Sequence, residues 1–73
     1  MMINKNLINY IIICNSEFAE RYNTNDEAAF NYLYEYGGID FLLEFYEIEH
    51  TLSLDDAIDD LTLICKKNGG AGI

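Results

Sequence analysis

This sequence predicts an all-α fold, a small bundle of about four helices in helix-turn-helix pairs with no sheet. Three observations predict it. Apolar residues recur at three- and four-residue spacing through most of the 73 positions, the period of one helical face. There is no proline, which suits a few helices with tight joins better than a many-turned β domain. Short breaks at "NTNDE", Gly37-Gly38 and "HTLS" separate the periodic stretches.

The first stretch runs from Ile3 to Tyr22, with Ile3, Leu7, Ile11, Cys14, Phe18 and Tyr22 on one stripe, widened by Ile8 and Ile12. Tyr10-Ile11-Ile12-Ile13-Cys14 would also suit a buried strand, but no second convincing strand exists to pair with it, so helix is preferred. In the second stretch Thr24, with Glu27 three residues on, has the form of a capping box that satisfies two orphan backbone donors. Asp26 and Glu27 suit the positive end of the helix dipole. Ala29, Phe30, Leu33 and either Tyr36 or Tyr34 form its inner side, and Gly37-Gly38 stops it, because glycine takes the left-handed conformation at little cost.

Asp40 is placed to cap a third, shorter helix whose apolar set is Phe41, Leu42, Phe45, Tyr46 and Ile48. Ser53 with Asp56 resembles a second capping box and opens the fourth helix. There Leu54, Ile58, Leu61 and Cys65 repeat at helical spacing, flanked by Ala57 and Ile64. Lys66 and Lys67 occupy the last turn, where the dipole favours cations, and Asn68-Gly69 ends it. The expected core is Ile11, Phe18, Leu33, Leu42, Phe45, Ile58 and Leu61. Residues 1–68 read as a single domain and 69–73, "GGAGI", as a flexible tail.

A chain of 73 residues is near the lower limit for a self-sufficient core. At 51% apolar it nevertheless belongs with ordered proteins. Four Lys plus Arg against thirteen Asp plus Glu give a net charge of −9, a field that repels nucleic acid and anionic lipid and favours a basic partner. The apolar run near the start meets Asn15, Glu17 and Glu20 and closes on no small-residue cleavage site, so no signal peptide is read. No apolar run is long enough to span a bilayer. A cytoplasmic protein with Cys14 and Cys65 as reduced thiols is the expectation.

Four groups of residues invite a chemical reading. Asp55, Asp56, Asp59 and Asp60 stack in two adjacent rows on a helix, since Asp55 and Asp59, like Asp56 and Asp60, are four apart. A "DDxxDD" cluster can hold Mg²⁺ or Ca²⁺, but polyprenyl-synthase-type sites that do so need a second acidic helix and a large apolar cavity. A helix start followed by a solvated face is the simpler account. His50 has Glu47 and Glu49 nearby but no nucleophile motif. A histidine at a helix C-terminus is stabilised by the dipole, so a structural motif of Tyr46, His50 and Thr51 is expected, joining the third helix to the fourth. Cys14, Cys65 and His50 lack the paired spacing of a zinc site, and both cysteines fall on apolar stripes as small hydrophobes. Neither a metal nor another cofactor is therefore expected.

Tyr32, Tyr34 and Tyr36 point in more than one direction round a helix, so at least one faces solvent or a partner. Tyr32, Tyr34, Phe45 and Tyr46 are accordingly candidate partner-binding residues. The four aspartates are candidates to steer that partner.

The stretch "GGIDFLLEFYEIEHTLSLDDAIDDL" resembles a family of short bacterial proteins known as domain of unknown function 3791, with the resemblance running from about Ile8 to Asn68. Its most specific part is a Tyr, three residues, then His-Thr, here Tyr46 and His50-Thr51. Gly38-Ile39-Asp40-Phe41-Leu42 matches upstream, and "DDAIDDL" matches the closing helix. The chain departs from the pattern at Glu49, where relatives often carry an apolar residue. The resemblance implies a small helical protein, often encoded beside a predicted ADP-ribosyltransferase-like protein in a toxin-antitoxin or toxin-immunity arrangement. It implies a neutralising partner and not an enzyme.

The leading expectation is thus a non-catalytic, acidic, antitoxin- or immunity-like binding module that occludes a basic, nucleotide-binding cleft. The alternatives are a phage or mobile-element inhibitor of a host nucleic-acid enzyme acting by charge mimicry, and a small metal- or His-dependent enzyme.

Overall fold

A computed structural model describes residues 5–71. Four α-helices account for most of them: α1 (Lys5–Arg21), α2 (Asp26–Glu35), α3 (Gly38–Glu49) and α4 (Leu54–Lys67). The described residues contain no strand. Tyr10 to Cys14 lie within α1 as expected. Ile3, and the last two residues of the tail, fall outside the described part. A Cα radius of gyration of 11.2 Å matches the ~11 Å that compact chains of this length show.

The α1–α2 turn is built differently from the Thr24 capping box. Asn23 adopts φ +54°, its N–H donates to Glu20 O at 3.2 Å, and Thr24 N–H donates to Ala19 O at 2.9 Å. That pair of bonds is a Schellman motif. Thr24 therefore finishes α1, and the cap of α2 passes to Asn25, whose side chain accepts from Ala28 N–H at 2.8 Å. Asn25→Ala is expected to cost about 1 kcal/mol, read as a lowered denaturant midpoint, whereas Thr24→Ala should cost less.

The α2–α3 turn is tighter still. Tyr36 closes α2, Gly37 at φ +83° is both its left-handed terminator and the N-cap of α3, and Phe41 N–H reaches Gly37 O at 3.0 Å. Asp40 is consequently an exposed first-turn residue and not the cap. At Gly38 an added Cβ would lie 2.9 Å from Leu33 Cδ2 and 3.3 Å from Cys65 Sγ. Only a glycine lets α3 start so close to α2 and α4.

Ser53 caps α4, its hydroxyl accepting from Asp56 N–H at 3.1 Å. At the other end Gly69, at φ +95°, and Gly70 complete a second Schellman motif onto Lys66 O and Cys65 O. Asn68 Nδ2 donates to Tyr36 O at 2.9 Å, so the end of α4 satisfies a carbonyl at the end of α2.

Cys14, Phe18, Ala19, Ala29, Leu33, Leu42, Ala57, Ile58, Leu61 and Cys65 form the buried core. Phe18, Leu33, Leu42, Ile58 and Leu61 are fully enclosed, while Ile11 packs at the edge. Phe45 is the exception among the expected core residues, being 41% exposed. Helical spacing puts it on one stripe with Leu42 and Glu49, but its own backbone (φ −109°, ψ 19°) leaves helical geometry. Its ring lies against Phe41, with centroids 5.2 Å apart. Ile48 and Phe30, assigned to inner faces by periodicity, are exposed as well.

Polar links tie α1 to its neighbours. Asn15 Nδ2 donates to Asp26 O at 3.0 Å and Ser16 Oγ to Asp26 Oδ2 at 3.1 Å. Thr62 Oγ1 donates to Ile58 O at 3.0 Å, which leaves the Tyr22 hydroxyl as donor to Thr62 Oγ1 at 2.6 Å.

Candidate functional site

The four aspartates of α4 do not form a single free array. Arg21, from the end of α1, bonds Asp59 through Nη1, and its Nη2 reaches Asp55 O at 3.2 Å and Asp55 Oδ1 at 3.6 Å. One row, Asp55 and Asp59, is thus partly neutralised, although both carboxylates stay exposed. In the other row Asp56 is exposed at the helix start and Asp60 is half-buried. Among the described residues no group of three or more His, Cys, Asp or Glu side chains is disposed to hold a metal ion.

The aromatic candidates divide in the same way. Tyr34 is 65% exposed and stacks on Phe30, with centroids 6.1 Å apart. Tyr32 faces the other way, stacked 5.8 Å from Phe18, and its hydroxyl donates to Ala71 O at 2.6 Å. It therefore holds Ala71, after the end of α4, against the bundle while remaining half-buried. Phe45 is at the surface beside Phe41.

Tyr46 is half-buried between two rings: Tyr10 of α1 meets it edge-on at 5.4 Å, and His50 stacks on it at 4.6 Å. His50 Nδ1 lies 2.6 Å from Tyr46 O. A carbonyl only accepts, so Nδ1 carries the proton. Thr51 Oγ1 donates to Ile48 O at 2.6 Å. His50 and Thr51 thus close the end of α3 with side-chain bonds to its last carbonyls, one of them that of Tyr46.

The element that the sequence reading missed is Glu49. It is only 5% exposed, on the inner side of α3 where Leu42 sits two turns earlier. Its Oε1 is buried without a hydrogen-bond donor, and its carboxyl faces Asp60 of α4. Two ionised carboxylates can only accept and repel one another, so this setting favours a protonated Glu49. Burial first, then the Asp60 hydrogen bond and charge, push the Glu49 carboxyl up to about 7.

The surroundings on α1 offer no cation. The Tyr10 hydroxyl is buried and lacks a well-formed hydrogen bond; burial first, then the neighbouring Cys14 thiol and the charges of Glu49 and Asp60, raise its pKa. Burial likewise raises the Cys14 and Cys65 thiols, so these free cysteines are poor nucleophiles. Glu49 lies seven residues after Leu42, and that register was the sequence signal for its burial.

Asp60 also lines a shallow cleft of about 290 Å³ whose other walls are Phe41 of α3 and Leu63 and Ile64 of α4. The cleft's lining is mainly apolar, and Leu63 is 66% exposed at its edge. An acidic group in an apolar trough can recognise a cation carried on an apolar body.

Among the described residues no helix is long and apolar enough to cross a membrane. No curated protein and no solved structure matches the chain. A family model does, described as "Protein of unknown function (DUF3791)"; it matches residues 9–68, most of α1 and all of α2, α3 and α4. The chain therefore belongs to the DUF3791 family, as the Gly38–Leu42 and Tyr46…His50-Thr51 pattern indicated.

Proposed function

We propose that this protein is a non-catalytic acidic binding module, antitoxin- or immunity-like, that covers a basic cleft on a protein partner. The observation that carries the reading is the outer face of α4. Asp55, Asp56 and Asp59 are exposed there, with Arg21 paired to Asp55 and Asp59, on a chain of net charge −9. Such a field accelerates encounter with a basic surface. Exposed Phe45, Ile48, Leu52 and Leu63 on the adjoining helices and turn supply apolar area that charge alone does not provide. Tyr34 with Phe30 on α2 is a second aromatic patch.

The test is binding to the product of a neighbouring gene, followed by stopped-flow association. Changing Asp55, Asp56, Asp59 and Asp60 together to Asn is expected to slow association about tenfold or more at low salt, with a smaller effect on dissociation. Tyr34→Ala should instead speed dissociation. Thermal melts of both variants separate lost steering from lost folding, since Asp59 also holds Arg21. Absence of binding to any such product would count against the reading.

A further inference from the structure

We propose that the cleft between α3 and α4 receives one face of a basic amphipathic segment of a partner protein, with an Arg or Lys side chain seated on Asp60. The inference rests on the acidic-module reading and narrows it to one surface and one ligand chemistry.

Three observations carry it. The trough formed by Phe41, Leu63 and Ile64 is apolar, and the exposed Phe45 ring packs beside Phe41. That suits the apolar side of a helix or extended segment. Asp60 is the charged group within the trough, and unlike Asp59 it has no arginine of its own, since Arg21 is committed to the other row. Behind Asp60 stands Glu49, buried and lacking an ordinary donor.

A buried acceptor without a donor is costly, and a cation seated on Asp60 offsets the negative charge that Glu49 faces. The groups facing Glu49 are Tyr10 and Cys14 from α1 and Asp60 from α4. None is cationic, so the positive charge has to come from outside this cluster.

The cation has a proton to displace. When a guanidinium or ammonium meets Asp60, the ionised form of the neighbouring Glu49 is favoured and its proton leaves to solvent. Affinity should accordingly rise as pH goes from about 6 to 8, because Glu49 releases its proton near 7. A pocket that recognised apolar surface alone would show no such dependence.

The probe is a synthetic 14-mer amphipathic peptide with leucines along one face and arginines beside them. Its controls are a scrambled peptide of the same composition and an Arg→Glu peptide. Amide chemical-shift mapping on ¹⁵N-labelled protein should place the ordered peptide at Phe41, Asp60, Leu63 and Ile64. Asp60→Asn and Leu63→Ser should each weaken it tenfold or more. Both positions lie outside the enclosed core, and melts check that the variants are folded. Glu49→Gln should remove the rise in affinity between pH 6 and 8.

Equal binding of ordered and scrambled peptides, with shifts centred on Asp55, Asp56 and Asp59, would overturn the cleft while leaving the acidic-module reading in place. Unchanged affinity in Leu63→Ser or Asp60→Asn would overturn it too. If no arginine peptide binds at low salt, both readings fail together.

Discussion

Leu61→Ala is expected to destabilise the protein by about 2–5 kcal/mol, the range for emptying a leucine-sized volume in a packed core. Leu61 is fully enclosed, in the same cluster as Phe18, Leu33, Leu42 and Ile58. Those neighbours come from all of α1, α2, α3 and α4, so no single helix can shift to fill the space. A domain of this size holds only about 5 kcal/mol or somewhat more in total, and the variant should be partly unfolded at room temperature. Urea titration by circular dichroism reads this directly. A Leu61→Ala protein with the parent's midpoint would mean that the core is not where α4 places it.

The second large effect is a fall in stability as pH rises, and Glu49 is its source. In the unfolded chain this carboxyl titrates near 4.5; in the folded protein burial and Asp60 hold the proton until about 7. Between those values the folded state binds more protons than the unfolded state. Stability is therefore greatest on the acidic side of this window and is lost as pH rises through the folded pKa. At ~1.4 kcal/mol per pH unit over that window the full loss is on the order of 3–4 kcal/mol.

General repulsion among the acidic residues works in the same direction, so the diagnostic variant is Glu49→Gln. It keeps the shape, removes the titration and should flatten the profile between pH 5 and 8. It should also leave the protein more stable than the parent at pH 8. A parent profile that climbs from pH 5 to 7, with Glu49→Gln the weaker at pH 8, would show Glu49 ionised and well satisfied.

How far these features were legible in the sequence depended on whether local chemistry decided them. Ser53, Gly37 and the Asn68-Gly69 pair behave as their residue types dictate, because caps and left-handed terminators are satisfied within a few residues. Phe18, Leu33, Leu42, Ile58 and Leu61 were legible from periodicity for the same reason. Thr24 was misassigned because two signals overlap there: the residue that suits an N-cap is consumed by the Schellman bonds ending α1. Asp40 was misassigned because a two-residue turn lets Gly37 end one helix and cap the next.

Phe45 and Glu49 depend on tertiary context. The Phe45 ring is exposed at a residue of non-helical backbone, and the Glu49 carboxyl after it is buried facing Asp60. Hydrophobic pattern alone ranks those two positions the other way round. The candidate site was legible as an acidic helix with aromatics nearby, but its division was not. Arg21 claims one aspartate row, Tyr32 is spent on Ala71, and Asp60 is drawn into a cleft with Phe41, Leu63 and Ile64. Arg21 and Tyr32 reach partners more than thirty residues away, and Asp60 meets Phe41 of a different helix, beyond the reach of local spacing.

That the acidic face of α4 is a surface for meeting a basic partner is the central claim, and association kinetics test it most directly. The rate constant for binding the neighbouring gene product would be measured by stopped flow at about 20 mM and 300 mM salt, where the screening length falls from roughly 20 Å to below 8 Å. The account predicts an association rate at least tenfold lower at the higher salt, with dissociation changed far less, and a flattened dependence in the four-Asp→Asn variant. An association rate indifferent to salt, in parent and variant alike, would contradict it.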